Sequence, residues 1–175
     1  GERPGTSVLR AAGTEAPRHT LGVAFANHRS PSVGSERLEL LGAVRNLTGR
    51  GDAWTLRLGR TRGLSDYALQ ASLPVGAADT VLTLHHDRNN AAVIEAPFDA
   101  LDIDSRSRTT EIGLRHPVYR TLQRSLTLGA ALALREAETW LGGVPFSFSP
   151  GVRNGRSEVA ALRLSAEWLA RGRDE

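Results

Sequence analysis

The chain has 175 residues and a formal charge of +3, enough for one domain with a core. It has no Cys, which excludes a disulfide framework, a thiolate metal site and a thiol nucleophile. All 22 basic residues are Arg, but they are spread along the chain, so nucleic acid is not an expected partner. The chain starts at Gly1 and contains no Met, which leads us to expect a piece of a longer protein. No run approaches the ~18 apolar residues of a spanning helix. A mean hydropathy of −0.27 suits a soluble protein, and equally a membrane β-barrel whose strands each turn one face to water.

From residue 21 onward the dominant pattern is period two, the signature of strands with two unlike faces. Leu21, Val23 and Phe25 alternate with Gly22, Ala24 and Ala26. Leu38, Leu40 and Val44 share one face of the second segment, and Arg37, Glu39 and Arg45 the other. Trp54, Leu56 and Leu58 alternate with Thr55, Arg57 and Gly59; Tyr67, Leu69, Ala71 and Leu73 with Ala68, Gln70 and Ser72. Leu82 and Leu84 alternate with Thr83 and His85; Ile112 and Leu114 with Glu111, Gly113 and Arg115. The seventh segment, "LGAALALREAETWL", is rich in helix formers. Its Leu residues at 126, 128, 132 and 134 would scatter around a helix but line one face of a strand, so a strand is expected. Leu162, Leu164, Ala166 and Trp168 alternate with Arg163, Ser165 and Glu167. The expectation is therefore an all-β chain with about eight strands.

The connections alternate as well. "NLTGRGD", "PVGAAD" and "HPVYRTLQR" are short or turn-like; "NHRSPSVGSE", "NNAAVIEAPFDALDIDSR" and "LGGVPFSFSPGVRNGR" are longer, with "RTRGLSD" the short exception. Short turns at one end and long loops at the other is the construction of outer-membrane barrels. In "NLTGRGD", Gly49 and Gly51 can supply positive φ, and Asn46 and Asp52 can bond local backbone N–H groups, which predicts a tight structural turn. Alternation alone leaves two readings open. A soluble barrel or binding protein would bury the aliphatic face; a membrane barrel would turn it to lipid. Two features favour lipid: the polar face holds many small residues, and Trp54, Tyr67, Trp140 and Trp168 fall near strand ends, where aromatic girdles sit.

Taken in order, "GERPGTSVLR", the stretch from "LGVAFANHRS" through the N-x-x-G-x-G-D turn to "RLGRTRG", "YALQASLPVG", and "SRTTEIGLRHPVYRTLQRSLTLGAALALRE" resemble the barrel domain of two-partner secretion transporters. These are the TpsB-type haemolysin secretion/activation proteins (ShlB/FhaC/HecB family) of the Omp85 superfamily. The resemblance implies an antiparallel up-and-down transmembrane β-barrel in the bacterial outer membrane, about eight strands of a sixteen-stranded whole. It implies residues 1–16 as the end of the last POTRA domain and its linker, and 17–175 as the N-terminal half of the barrel. It further implies export of a large secreted haemolysin- or adhesin-like protein, with activation of that client as an open second role. The partners implied are the secreted polypeptide and outer-membrane lipid. No plug helix and no R-G-Y-type pore loop is legible in the sequence. A porin or an Omp85-type assembly factor remains an alternative of the same architecture.

On this reading Arg37, Glu39, Arg45, Arg57, Glu111, Arg115, Arg163 and Glu167 line the pore. Other candidates carry less. Arg50-Gly51-Asp52 matches an adhesion tripeptide, and Asn46-Leu47-Thr48 a glycosylation sequon, but both lie in a periplasmic turn. His85 and His86 point to opposite faces of a strand and cannot share a metal, and Asp99, Asp102 and Asp104 lack the spacing of a calcium loop. No G-x-S-x-G or other catalytic constellation is present. No cofactor, metal site or enzymatic activity is expected.

Overall fold

The computed structural model describes residues 17–148, 150 and 152–171. The segment 1–16, read above as the close of a POTRA domain, lies outside the described residues. Nine strands form one antiparallel sheet. They are β1 (His19–Ala26), β2 (Arg37–Arg45), β3 (Ala53–Arg60), β4 (Leu64–Val75), β5 (Thr80–Ala92), β6 (Ile103–Arg120), β7 (Arg124–Leu141), β8 (Val144–Pro145) and β9 (Arg156–Ala170). Strands β1 to β8 pair in sequence order, and β9 lies against β7 on the same edge as the two-residue β8. The sheet is open, with β1 and β9 at its edges.

The eight alternating segments become the eight long strands, and β8 is an addition. The helix-prone seventh segment is the 18-residue strand β7. Its period-two leucines outweigh local propensity, because only a strand puts all of them on one face.

Two connections are shorter than their sequences suggest. β6 does not turn at Pro117 but continues to Arg120, leaving residues 121–123 as the turn. The ladder shifts register between Pro117 and Tyr119, so Val118 is the extra residue of a β-bulge. A bulge is where a sheet tolerates a proline that lacks its N–H. It also re-aims Tyr119 to the face of Leu126 and Trp168, where it stacks on Trp168 with centroids 6.2 Å apart and planes 9° from parallel. In the same way "NNAAVIEAPFDALDIDSR" contributes its ends to strands, as far as the pair Ala92 and Asp104, and leaves 93–102 as the loop.

Residues paired across an antiparallel ladder share a face, so register assigns every side chain. One row reads Val44, Trp54, Ala71, Leu84, Ile112, Leu132 and Leu162 from β2 to β9. The next row toward the long loops starts aliphatic, at Leu21, and passes Leu56, Leu69 and His86 to Thr110 and Leu134. The row beyond it runs from Val23 through Leu58 and Tyr67 into Arg88, Arg108 and Glu136. The aliphatic zone therefore steps diagonally across the rows, which is the stagger of strands tilted against a level band. On β7 it covers Leu126 to Leu134, about 26 Å along the strand at ~3.3 Å per residue.

The aliphatic face carries no second layer among the described residues: Leu21 is 82% exposed and Leu164 76%. The most buried arginine, Arg37 at 5%, lies on the opposite face. The polar face is open as well, with Arg115 57% and Glu167 66% exposed, but a soluble protein would cover its leucines with a second layer.

At the long-loop end the connections bond to one another. Gly63 N–H donates to Val33 O (2.9 Å), Ala92 N–H to Gly63 O (2.7 Å), Ile94 N–H to Ser32 O (2.8 Å) and Gly142 N–H to Asp102 O (3.0 Å). Gly63 is required here by close approach, since a Cβ would meet Ala92 O at 2.5 Å. These bonds tie all four connections of that end into a continuous rim.

Candidate functional site: the polar wall of the sheet

The face opposite the aliphatic band carries Arg37, Glu39, Arg45, Arg57, Glu111, Arg115, Arg163 and Glu167, as their register partners require. Six of the eight are drawn into ion pairs, and three bridges among these share one construction. Arg37 on β2 reaches past Gly59 on β3 to Asp66 on β4. Its guanidinium makes a two-pronged contact, Nη1 to Oδ1 at 2.6 Å and Nη2 to Oδ2 at 2.8 Å. Glu39 accepts from the same group at 3.2 Å. Gly59 is the floor of this bridge: a Cβ there would lie 1.9 Å from Arg37 Nη2.

The pattern repeats across β7. Arg115 on β6 passes over Gly129 to Glu167 on β9 at 2.8 Å. Arg163 on β9 passes over the row of Ala131 to Glu111 on β6. In all three, partners two strands apart meet because the residue between them is small. The small residues of the polar face thus have a physical role. They clear a path for long side chains that tie strand triplets together beyond the backbone ladder. Exposed pairs of this kind contribute about 0–1 kcal/mol each. The half-buried Arg37–Asp66 fork, with its bidentate geometry, is the strongest.

Arg45 and Arg57 have no carboxylate within 4.0 Å among the described residues. Asp66 is the member that sequence reasoning did not single out. Its alternation with Tyr67 marks its face, but its partner lies 29 positions away and only register brings them together.

The turn of residues 46–52 closes the other end of β2 and β3. Asn46, Gly49 and Gly51 take positive φ (55°, 79° and 79°). Asn46 N–H donates to Asp52 O at 2.6 Å, and Gly51 N–H to Asn46 Oδ1 at 2.8 Å. The Asp52 carboxylate is 1% exposed. It accepts from the Thr48 hydroxyl, from Thr48 N–H (2.8 Å), from Leu47 N–H (3.2 Å) and from the Trp54 indole (2.8 Å). Led by the Thr48 hydroxyl, these donors hold its pKa down at about 2 against the cost of burial. Buried in this way, Asp52 is not available to an adhesion receptor.

On the aliphatic face the aromatic residues fall into two groups. Trp54, Tyr119 and Trp168 lie toward the short turns, and Tyr67 and Trp140 toward the long loops. His85 and His86 do part to opposite faces: His85 sits 2.9 Å from Asp87, whereas His86 bonds Tyr67 (3.1 Å) and Thr110 (2.8 Å). No group of three His, Asp or Glu side chains suited to a metal occurs among the described residues.

Comparison with known proteins places this sheet in context. The family described as haemolysin secretion/activation protein ShlB/FhaC/HecB matches residues 5–150. CdiB from Escherichia coli superposes with a TM-score of 0.73 at 18% identity, over 91% of this chain and 30% of that one. BamA from Haemophilus ducreyi, solved without POTRA domains 1-3, gives a TM-score of 0.48 at 16% identity, over 90% of this chain and 31% of that one. No curated protein matches the chain. The likeness to CdiB shows the fold, an arc of a transmembrane β-barrel wall, and the chain spans 30% of that barrel protein's length.

Proposed function

The chain belongs to the haemolysin secretion/activation protein family (ShlB/FhaC/HecB), and from that premise we propose that it forms part of a two-partner secretion pore, exporting a large haemolysin- or adhesin-like polypeptide. The family is one of outer-membrane β-barrels of Gram-negative bacteria. Residues 17–175 are the N-terminal half of the barrel, following the end of a POTRA domain in 1–16, and the protein is a conduit without bond-making chemistry. The observation that carries this reading is the division of the faces: a continuous aliphatic band with nothing packed on it on one side, paired charges on the other. Lipid covers the first, and the second faces a wet lumen.

Arg37, Glu39, Arg45, Arg57, Glu111, Arg115, Arg163 and Glu167 line that lumen. Pairing neutralises most of them. A wall of satisfied charges wets an extended client without holding it, which is what passage requires of a pore. Folding of the client outside then gives the movement its direction.

The test is deletion of the gene in its native host. A large secreted protein should vanish from the medium and return when the full-length gene is restored. An unchanged secretome would overturn the proposal. General loss of other outer-membrane proteins would identify an assembly factor instead, and loss of small-solute uptake alone a porin.

A further inference from the structure

We propose that the outward-facing recess at the long-loop end of β3–β6 binds the phosphate groups of an outer-leaflet glycolipid. The inference rests on the orientation adopted above, with the aliphatic face in lipid and the long loops outside the cell.

The recess measures about 450 Å³ and lies among Arg60, Ser65, Arg88, Asn90, Asp104 and Arg106. Register puts these six on the aliphatic face, at the end where the band gives way to polar residues. A hydrogen-bonded chain steps down from Tyr67, in the row of Arg88, to His86 and Thr110 in the row below, the kind of amphipathic group that sits at headgroup level. A lipid phosphate anchored by its acyl chains against Leu58, Leu69 and Leu84 would stand at the height of the recess.

The chemistry fits an anion. Arg60, Arg88 and Arg106 are exposed, and none lies within 4.0 Å of a carboxylate among the described residues. Their neighbours along the same rows, Arg108 and Arg156, by contrast, are engaged by Glu136 (2.6 Å) and Glu158 (2.5 Å). Arg106 is oriented by the Trp140 ring, with its guanidinium carbon 4.8 Å from the centroid. Arg88 Nε donates weakly to Asn90 (3.4 Å). Three guanidinium forks with Ser65 and Asn90 between them suit the planar, bidentate capture of phosphate oxygens. Asp104 is the one carboxylate in the lining of this recess; Glu138, the cross-strand partner of Arg106, faces the adjoining recess with Arg88 and lies 4.0 Å from Arg156. Arginines on a lipid face are costly at mid-membrane and tolerated at the interface, where a phosphate can meet them. The exported client is not a competing occupant, because it passes along the opposite face.

The experiment uses the full-length protein in phosphatidylcholine nanodiscs, with or without lipid A bearing both phosphates. The readout is lipid A retained per protein after washing, measured by mass spectrometry. The wild type should retain it, and R60Q/R88Q/R106Q should retain about tenfold less, as expected for lost charge-assisted bonds. R45Q, which removes one charge as R88Q does but from the polar face at the other end, should match the wild type in lipid A retained. Equal retention by the triple variant, or displacement of lipid A by equimolar inorganic phosphate, would overturn the proposal. If the triple variant does not fold, R88Q alone decides it, with a fall of about threefold expected and none overturning the site. Failure of the pore reading is distinguishable: the protein would then not enter the bilayer, or client export would fail in the wild type itself.

Discussion

At the scale of single residues, Asp52 shows how a turn can be set by one carboxylate. Its pKa of about 2 lies below the ordinary value near 3.8, so the fold favours the ionised form. Its contribution is fully present above that ordinary value and is lost as pH falls through about 2. D52N lacks the charge at every pH. Unfolding of the full-length barrel in detergent should therefore show the wild type losing more stability between about pH 4 and 2 than D52N, which is weaker at neutral pH and falls less across that window. Parallel profiles for the two proteins would refute the assignment. The grouping of Asn46, Gly49, Gly51 and Asp52 in one connection was legible in the sequence. The donation from Trp54 was not, because an indole two residues into a strand reads as a girdle residue until the ladder shows it reaching back.

At the scale of strands, the bridges over glycine make a sharper demand than the pairs alone. G59V would put side-chain atoms where the Arg37 guanidinium lies and break its fork to Asp66 while leaving both charges in place. A loss of about 1–3 kcal/mol is expected, as for a half-buried pair deprived of its geometry. G59A should cost nearly as much, whereas G42A, on the aliphatic face with open space around it, should be close to neutral. Heat-modifiable mobility of the full-length protein at graded temperatures would rank the three, and equal midpoints would count against the bridge. The strands themselves were legible because their alternation is long and regular. Pro117 misled because proline normally ends a ladder, and a bulge that accommodates it leaves no signal in one sequence. Asp66 escaped notice for a related reason: pairs two strands apart depend on register, and register depends on turn lengths.

At the scale of the molecule, the uncovered aliphatic face dictates the solvent. The complete protein should give the circular dichroism of β-sheet in detergent or lipid and not in plain buffer. This 175-residue stretch alone, with open edges at β1 and β9, should aggregate in water. A monomeric, sheet-rich stretch in buffer would instead favour a soluble fold with the leucines turned inward. Composition could not decide between those two architectures, since both use the same alternation. The decision came from an aliphatic band that runs unbroken across the strands with nothing packed on it, a property of the whole sheet that no short window contains.

The bridges that skip a strand have a consequence for how such a wall can change over generations. A cation, an anion and the small residue between them form one inheritable unit spread over three strands. Lengthening the middle side chain strands both charges, and neutralising either charge removes the reason for the middle one to stay small. Among relatives of this chain, positions 37, 59 and 66 should therefore vary as a trio, and so should 115, 129 and 167. A comparison restricted to pairs of adjacent strands would overlook the coupling.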